Sequence, residues 1–348
     1  MSDGVRRVMV LDLNATAWTW ALRPEHVERV RREAPEGWDV RAVSAPTSSD
    51  GDGGAPPSAE ALEAVRDAEV YVGYGITAQL FRAAPKLRWV HSGAAGVASL
   101  LFPEMRASDV VVTNSAGIHA IPIAEHVVAG LLYLLRCLDV AREQQRNGVW
   151  ARDLFVSPAT RVRELGTCRA LVIGAGGIGS EVARRLSAFG TTVTGVRRHP
   201  ERGAPAGFAR VVGPSDWRPL LRETDLLIIT APATSETRRM VTAADLDGLP
   251  LGAIVANVAR GSLLDEGALA DRLTSGRLRG AVLDVFEKEP LPASSPLWAM
   301  SSVVLTPHVS PVTPDGFWPR QLELLIDNWH RYVTGTEMRN VVDKTAGY

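Results

Sequence analysis

Ala170-Leu-Val-Ile-Gly-Ala-Gly-Gly-Ile-Gly-Ser-Glu-Val-Ala-Arg-Arg-Leu186 joins a strand pattern to a helix pattern through closely spaced glycines. Residues 170–173 form a short apolar run of the kind found in buried strands, and apolar residues then recur at helical spacing up to Leu186. Between the two patterns, Gly174, Gly176 and Gly179 follow the spacing G-x-G-x-x-G. At the junction of a strand and a helix, this spacing predicts the first turn of a dinucleotide-binding unit.

The three glycines have different tasks in such a turn. Gly174 allows the tight change of direction, Gly176 lets the backbone approach a pyrophosphate, and Gly179 lets helix and strand pack without an intervening Cβ. Gly177 and Ile178 open the helix, where unpaired N–H groups and the positive end of the helix dipole favour an anion. We therefore expect this turn to bind the pyrophosphate of a dinucleotide.

The surrounding sequence decides between this interpretation and an ordinary glycine-rich turn, which is the alternative in a chain with 31 glycines. A second strand pattern at 191–196 completes a unit of about 30 residues, as a dinucleotide site requires. Strand patterns continue to alternate with helices, which predicts α/β architecture with a complete doubly wound sheet. The six predicted strands are 170–173, 192–196, 225–229, 253–256, 280–283 and 303–305.

Composition limits the classes of partner. A length of 348 residues suggests about two domains, and 46% hydrophobic with 22% charged residues is ordinary for a globular protein. A formal net charge of -1 provides no electrostatic footprint for nucleic acid or for an anionic membrane, so we expect neither partner. Cys137 and Cys168 form no spaced set, which argues against a disulfide framework and against a metal site. Unpaired cysteines suit the cytoplasm, where we expect the protein to work.

Strand and helix patterns also alternate in the first third of the chain, which predicts a parallel α/β sheet there. The strand patterns are 8–11, 70–73, 87–91 and 110–113, and the helix patterns include 24–33 and 59–66. A long helix pattern over 121–147 ends at Gly148, a typical helix stop. A final amphipathic helix pattern covers 315–333, and we expect the tail 340–343 to return to the first domain.

The choice of dinucleotide depends on the end of the second strand pattern, where an NAD site carries an acidic residue for the ribose 2′-hydroxyl. Here the strand ends with Val196, Arg197 and Arg198, and no acid stands at that position. Two guanidiniums can bind a 2′-phosphate bidentately. The alternative is that both arginines are merely solvated at a strand end. We expect NADP(H) to be preferred, with NAD(H) as the other dinucleotide that the same turn could hold.

Polar residues follow several strand patterns of this predicted domain, and open α/β sheets bind ligands at the carboxyl ends of their strands. Arg260 lies in the motif N-V-A-R-G, Glu289 in E-P and His308 in T-P-H. A guanidinium can hold the carboxylate of a 2-oxo acid and stabilise the charge that develops on its keto oxygen as a hydride arrives. A histidine can deliver the proton while a carboxylate orients it. Glu287 competes with Glu289 for the carboxylate role.

These motifs give the chain a specific resemblance to the D-isomer-specific 2-hydroxyacid dehydrogenase family, over about residues 89–343. The family's catalytic arginine, glutamate and histidine stand in the same three motifs, which implies Arg260, Glu289 and His308 as the catalytic set. Segments 122–126 and 230–237 are also similar to family segments. Within the family, the chain resembles the NADP-preferring glyoxylate/hydroxypyruvate reductases.

The resemblance also implies ligands for the cofactor and the substrate. The turn 92–97 matches the substrate loop of the family, in which the N–H groups of Ala95 and Gly96 would hold the substrate carboxylate. Arg260 would contact the same substrate. The residues implied along the cofactor are Ala231, Pro232, Val258, Ala259 and, near the nicotinamide carboxamide, Asp284.

The domain organisation that the resemblance implies is a pair of Rossmann-like domains. A doubly wound dinucleotide-binding domain at 121–315 would be inserted into a flavodoxin-like substrate-binding domain formed by 1–120 and 316–348. The helix at 121–147 would link the two domains. We expect a homodimer, formed through this helix and an apolar arm around Trp150.

The identity of the 2-oxo acid stays open, because Pro311 and the segment that follows it depart from the family pattern. Ile118, Phe317 and Trp318 are candidates for an apolar pocket that would admit a side chain larger than that of glyoxylate or hydroxypyruvate.

Three further histidines differ in their expected roles. His91 precedes the substrate turn and His119 follows a strand pattern, so both are candidates to line the pocket. His126, on the long helix, is interpreted as structural.

Two classes of alternative function stay open. A dinucleotide-sensing scaffold is one, because the same family resemblance covers corepressors that bind the dinucleotide and recruit peptides. Among enzymes, the alternatives are dehydrogenases of phosphite, formate or 3-phosphoglycerate. The last is weakened as an expectation because the chain ends at Tyr348 without an appended regulatory domain.

Overall fold

The chain folds as two units in the computed structural model, which describes residues 6–47 and 56–347. The first unit contains residues 1–118 and 312–348, and the second contains residues 119–311. The chain thus passes between units at 118–119 and 311–312, where the sequence analysis places the passages at 120–121 and 315–316.

A five-stranded parallel sheet forms the centre of the first unit, in the order β2-β1-β3-β4-β5. This is the flavodoxin-like strand order, as predicted. The strands are β1 (Arg7–Asp12), β2 (Trp38–Ala42), β3 (Val70–Gly73), β4 (Trp89–Ser92) and β5 (Val111–Asn114). The helices are α1 (Pro24–Arg32), α2 (Ala59–Ala64), α3 (Ala78–Ala83), α4 (Pro103–Ala107) and, from the end of the chain, α11 (Phe317–Thr334).

The end of the chain returns to this sheet. The N–H of Val342 donates to the carbonyl of Val112 at 2.8 Å, and Val341 forms an isolated antiparallel bridge with Thr113. Val342 is buried in the core of the first unit. The expected return of the tail is therefore confirmed.

Strand β2 was not predicted. Only Trp38 and Val40 of its five residues are buried, so its apolar pattern is weak.

The proposed apolar pocket of Ile118, Phe317 and Trp318 is wrong. All three side chains are packed in the core of the first unit, with exposures of 6%, 1% and 2%. Trp318 also stacks on the imidazole of His26, with ring centroids 4.2 Å apart. The amphipathic pattern of α11 therefore buries these aromatic side chains, so they are unavailable to a ligand.

A seven-stranded parallel sheet forms the centre of the second unit, in the order β12-β11-β10-β9-β6-β7-β8. Numbered within the unit, this contains the doubly wound order 3-2-1-4-5-6, extended by one strand. The strands are β6 (Arg169–Ile173), β7 (Thr192–Val196), β8 (Arg210–Val212), β9 (Leu226–Ile229), β10 (Ala253–Asn257), β11 (Leu278–Leu283) and β12 (Val303–Leu305). The helices are α5 (Ala120–Leu135), α6 (Leu138–Arg146), α7 (Asp153–Val156), α8 (Gly177–Ala188), α9 (Ala243–Asp247) and α10 (Glu266–Thr274).

Strand β8 is the seventh strand, absent from the six that were predicted. It has three residues at an edge of the sheet, and none of them is fully buried. A segment this short and this exposed has too weak an apolar pattern to be recognised from sequence alone.

The helix predicted over 121–147 is broken into α5 and α6, which meet at a bend of 68°. Cys137 has a left-handed backbone, with φ of 53°, at the break. The guanidinium of Arg279 donates to the carbonyl of Leu134 at 2.9 Å and to a carboxylate oxygen of Asp139 at 2.7 Å. A buried cation from β11 thus binds the end of one helix and the start of the next, which explains why the chain turns there.

Within the described part of the chain, no single helix is both long and apolar enough to cross a membrane. The bent pair of α5 and α6 meets the length and composition criteria only when the two helices are taken together.

Candidate active site

The predicted dinucleotide turn connects β6 to α8, and its glycines are required for different physical reasons. A Cβ on Gly174, whose φ is 108°, would lie 2.6 Å from the backbone nitrogen of Ala231. A Cβ on Gly179 would lie 2.0 Å from the carbonyl oxygen of Gly174, so helix and turn touch through backbone alone. A Cβ on Gly176 would meet no atom within 4 Å. This open space lies beside the first residues of α8, Gly177 and Ile178, as a turn that receives a phosphate requires.

Residues after β9 and β10 continue the same carboxyl edge of the sheet. The hydroxyl of Thr230 donates to the carbonyl of Gly174 at 2.7 Å, which joins the segment of Ala231 and Pro232 to the glycine turn. After β10, the buried residues Val258 and Ala259 lie on the neighbouring strand end. The geometry therefore brings the predicted cofactor residues to one edge, where α/β sheets bind nucleotides.

Arg197 and Arg198 follow β7 directly, at the ribose position of the unit. The guanidinium of Arg197 donates to the carbonyl of Gly203 at 3.0 Å, and that of Arg198 pairs with Glu236 at 2.9 Å. Both contacts are at the protein surface, where a competing phosphate could replace them at small cost. Glu236 offsets the charge of Arg198, whereas Arg197 bonds to a neutral carbonyl, and the choice of dinucleotide stays a proposal.

His308 and Glu289 form a direct pair after β12 and β11. Nδ1 of His308 lies 2.8 Å from Oε2 of Glu289, and the other carboxylate oxygen accepts the N–H of Phe286 at 3.0 Å. Glu287, the competitor, instead pairs with Arg239 at 3.3 Å. The geometry thus favours Glu289 as the partner of His308 and leaves Nε2 as the second ring nitrogen.

Arg260 is held by a turn that its own motif builds. The side chain of Asn257 accepts the N–H of Ala259 at 3.1 Å and donates to the carbonyl of Arg260 at 2.9 Å. A Cβ on Gly261 would lie 1.9 Å from the carbonyl carbon of Phe286. Only glycine fits there, so the Arg260 turn is pressed against the segment that leads to Glu289. The Arg260 side chain itself is exposed, and its Nη1 donates to the carbonyl of Ala259 at 2.7 Å.

Asp284 is fully buried and binds the loop that carries His308. One carboxylate oxygen accepts the hydroxyl of Thr306 at 2.6 Å and the N–H of Val309 at 2.9 Å, and the other accepts the N–H of Ser310 at 2.9 Å. The carbonyl of Asp284 accepts the N–H of His308, also at 2.9 Å. Its predicted contact with the nicotinamide carboxamide stays a prediction, and the structure adds a second task, which is to shape the loop that carries His308.

The substrate turn belongs to the first unit and follows β4. Asn114 donates to the carbonyl of Ala95 at 2.9 Å, and the N–H of Ser115 donates to the carbonyl of Ala94 at 3.1 Å. The turn is therefore fixed through its carbonyl groups, while Ala95 and Gly96 are exposed. Their binding of a carboxylate stays a prediction.

Of the three further histidines, only His91 departs from its expected role. His91 is fully buried, burial lowers its pKa to about 3, and its Nδ1 lies 2.8 Å from the hydroxyl of Thr113. It is a neutral core residue, so its expected place in a pocket is wrong. Nδ1 of His119 lies 3.2 Å from the carbonyl of Pro311, and Nε2 of His126 lies 3.2 Å from the hydroxyl of Thr306.

Asn257 and Thr306 also have tasks at the site that were not predicted, although both lie within the predicted motifs. Each is the first residue of its motif, N-x-x-R-G or T-P-H, and a polar side chain directly after a predicted strand is the sequence feature that could have indicated a task in the site. Among the described residues, no group of three or more histidine, cysteine, aspartate or glutamate side chains could hold a metal ion.

A glycine turn at the head of a doubly wound sheet, with a histidine–carboxylate pair at the same carboxyl edge, defines the class of protein: a dinucleotide-binding α/β protein with a site for proton transfer. Residues 128–310 match the family model of the D-isomer specific 2-hydroxyacid dehydrogenase NAD binding domain. The chain belongs to the D-isomer-specific 2-hydroxyacid dehydrogenase family.

Solved structures of similar proteins extend over nearly the whole chain. A D-isomer specific 2-hydroxyacid dehydrogenase from Xanthobacter autotrophicus Py2, in complex with NADPH and MES, is 29% identical, with a TM-score of 0.76 over 99% of this chain and 100% of that one. An NADPH-dependent glyoxylate/hydroxypyruvate reductase from Sinorhizobium meliloti, in complex with NADP and sulfate, is 26% identical, with a TM-score of 0.75 over the same shares of the two chains.

Curated relatives include enzymes with two different substrates. A D-3-phosphoglycerate dehydrogenase of Mycobacterium tuberculosis is 34% identical over 263 residues, which are 75% of this chain and 47% of that protein. The chain thus spans about half the length of the phosphoglycerate dehydrogenases that it matches. A glyoxylate reductase of Korarchaeum cryptofilum is 31% identical over 304 residues, covering 83% of this chain and 87% of that protein.

Proposed function

We propose that the protein is an NADPH-preferring oxidoreductase that reduces a small 2-oxo acid to the D-2-hydroxy acid. The observation that carries the proposal is the pair of His308 and Glu289, 2.8 Å apart, beside the turn that holds Arg260. Such a set suits a reaction in which a proton and a negative charge must be handled at one carbonyl oxygen.

The role of each side chain follows from its donors and acceptors. Because Nδ1–H of His308 donates to Glu289, the proton for the substrate oxygen comes from Nε2 of the imidazolium, and the ring ends the step neutral. Glu289 holds the ring in orientation and stabilises its positive charge. Arg260 would hold the substrate carboxylate and stabilise the charge on the keto oxygen. When bound, the dinucleotide supplies the hydride to the keto carbon.

A screen of 2-oxo acids tests the proposal. Glyoxylate, hydroxypyruvate and 2-oxo acids with larger side chains are offered with NADPH, and oxidation of the coenzyme and the configuration of the product are measured. We expect turnover with at least one acid, a D product, and a loss of about 10²- to 10⁴-fold in kcat for His308→Gln. Absence of turnover with every acid, while NADPH still binds tightly, would favour the scaffold alternative.

A second candidate is oxidation of 3-phosphoglycerate, which the phosphoglycerate dehydrogenase relatives support. To test it, 3-phosphoglycerate is offered with NAD⁺ or NADP⁺, and reduction of the coenzyme is measured. A kcat/KM for 3-phosphoglycerate far above that of any reduction would replace the proposed substrate class.

The preference for NADPH is supported by the arginines after β7 and by NADPH or NADP bound to similar proteins. We expect Arg197→Asp to move the ratio of kcat/KM values toward NADH, because the carboxylate would repel the 2′-phosphate and accept a bond from the ribose hydroxyl. Arg210→Asp, the same change of charge at the exposed first residue of β8, is the control. An unchanged ratio in Arg197→Asp would overturn the preference.

A further inference from the structure

Two histidines lie against the loop 306–311, one at each end of it. Nε2 of His126, on α5, lies 3.2 Å from the hydroxyl oxygen of Thr306, the first residue of the loop. Nδ1 of His119, which immediately precedes α5, lies 3.2 Å from the carbonyl oxygen of Pro311, the last residue. The two histidines are seven residues apart, which places them on the same side of a helix. The loop between their contacts carries His308.

The hydrogen atoms of these contacts can be assigned from the chemistry of the partners. The hydroxyl of Thr306 donates its only hydrogen to Asp284, at 2.6 Å, so its oxygen accepts from Nε2–H of His126. A carbonyl oxygen is always an acceptor, so Nδ1 of His119 donates to Pro311. Each imidazole therefore donates one N–H to the loop, and this assignment holds whether or not its other nitrogen carries a proton.

The contact of His126 reaches the loop backbone through Asp284. The buried carboxylate that accepts the Thr306 hydroxyl also accepts the N–H groups of Val309 and Ser310, both at 2.9 Å. His308 itself has a φ of 54°, in the left-handed region that costs a residue with a side chain about 1 kcal/mol or more. A loop with this conformation needs external restraint, and the chain of bonds from His126 through Thr306 to Asp284 supplies it.

We propose that His126 and His119 are positioning residues that clamp the two ends of the His308 loop, and so hold the imidazole of His308 in place for proton transfer. The proposal rests on the proposed function, because it assigns the two histidines a task in that reaction. Both histidines act on His308 through the loop, by their bonds to Thr306 and Pro311. His119 thus has a different task from the pocket role that the sequence suggested.

The test compares variants at His126 that differ in one donor. His126→Leu removes the N–H, whereas His126→Gln places an amide Nε2–H where the imidazole had its own. Losing one hydrogen bond is expected to lower kcat about tenfold in His126→Leu, with little change in the KM for NADPH, and His126→Gln should regain most of the loss. His330→Leu, at an exposed position of α11, is the matched control and should retain wild-type kcat.

A second pair of variants addresses the hydroxyl. Thr306→Val removes it and Thr306→Ser keeps it, and the double variant His126→Leu/Thr306→Val should fall no further in kcat than Thr306→Val alone, because both changes break one chain of bonds. Additive losses in the double variant, or equal kcat values for His126→Leu and His126→Gln, would overturn the proposal. If His126→Leu or Thr306→Val does not fold, His126→Gln and Thr306→Ser still test the proposal, because each keeps the hydrogen-bonding group and should retain most of the wild-type kcat.

A measurement without substrate separates this proposal from the proposed function. Amide hydrogen exchange at Val309 and Ser310 should be about tenfold faster in His126→Leu than in the wild type and nearly unchanged in His126→Gln. Unchanged exchange in His126→Leu would overturn the clamp even in an active enzyme. Failure of the wild type to reduce any 2-oxo acid would overturn the proposed function, while the exchange rates would still decide whether the clamp exists.

Discussion

His91 demonstrates how a single buried residue can link stability to pH. Its imidazole is fully buried, contacts the hydroxyl of Thr113 and the amide nitrogen of Gln321, and has a pKa lowered by burial from 6.5 to about 3. Between these two values the unfolded chain takes up a proton that the folded chain does not. Stability therefore falls as the pH falls through this range, because the unfolded state binds more protons.

We expect the free energy of unfolding of the wild type to drop by about 2 kcal/mol more than that of His91→Gln between pH 7 and pH 5. Denaturant unfolding curves at the two pH values measure the difference. His330→Gln, at an exposed position, should behave like the wild type. The prediction would be wrong if the variant at His91 lost as much stability on acidification as the wild type does.

At the scale of elements, the bend between α5 and α6 depends on a buried ion pair. Arg279 and Asp139 have side-chain exposures of only 7% and 6%, and their charged atoms are 2.7 Å apart. Removing one partner of such a pair leaves the other charge buried without compensation, which costs about 3 to 5 kcal/mol. The turn of the chain at Cys137 is thus coupled to the start of β11.

Arg279→Met should lower the free energy of unfolding by about 3 to 5 kcal/mol, and Arg279→Met/Asp139→Leu should regain part of the loss because no charge is then left buried. Chemical denaturation of the purified variants measures both. Arg169→Met is the control, since Arg169 pairs with Glu223 at the surface, where the expected cost is at most about 1 kcal/mol. A loss in Arg279→Met no larger than in this control would contradict the role of the pair.

At the scale of the whole molecule, an apolar arm in the second unit is exposed. Val149, Trp150, Leu154 and Val156 have exposures of 52%, 92%, 59% and 64%. So many large apolar side chains within eight residues are unusual for a surface that faces only water. We propose that a second copy of the chain covers this arm in a homodimer.

We expect the wild type to sediment as a dimer and Trp150→Ser to dissociate at micromolar concentrations, because a large aromatic side chain at an interface contributes several kcal/mol. Analytical ultracentrifugation over a range of concentrations measures the change. Trp298→Ser is the control, since Trp298 is also 54% exposed but donates its indole N–H to Pro292 of its own unit. A monomeric wild type, or a Trp150 variant as dimeric as the wild type, would refute the proposed interface.

Much of the candidate site could be predicted because its signals are local. The tight turn at Gly174 and the close packing at Gly179 agree with a short motif, in which the spacing of a few residues already determines the geometry. The E-P motif, through the family resemblance, favoured Glu289 over Glu287, and the structure pairs Glu289 with His308. The order of strands in each sheet also agrees with the predicted classes of fold. Short edge strands such as β8 were missed, since a segment of three half-exposed residues carries little pattern.

By itself, the sequence determined the two α/β folds, the glycine turn and the family, because these depend on periodicity and on motifs that are contiguous in the chain. Folding of the chain, by contrast, buries Phe317 and Trp318 in the core, bends the long helix at Cys137 and brings His126 to Thr306. Each of these depends on side chains far apart in sequence: Arg279 binds helices some 140 residues before it, and Thr306 lies 180 residues after His126. Residues at such separations leave no joint pattern in a single sequence, since only the folding of the chain brings them within reach of a hydrogen bond.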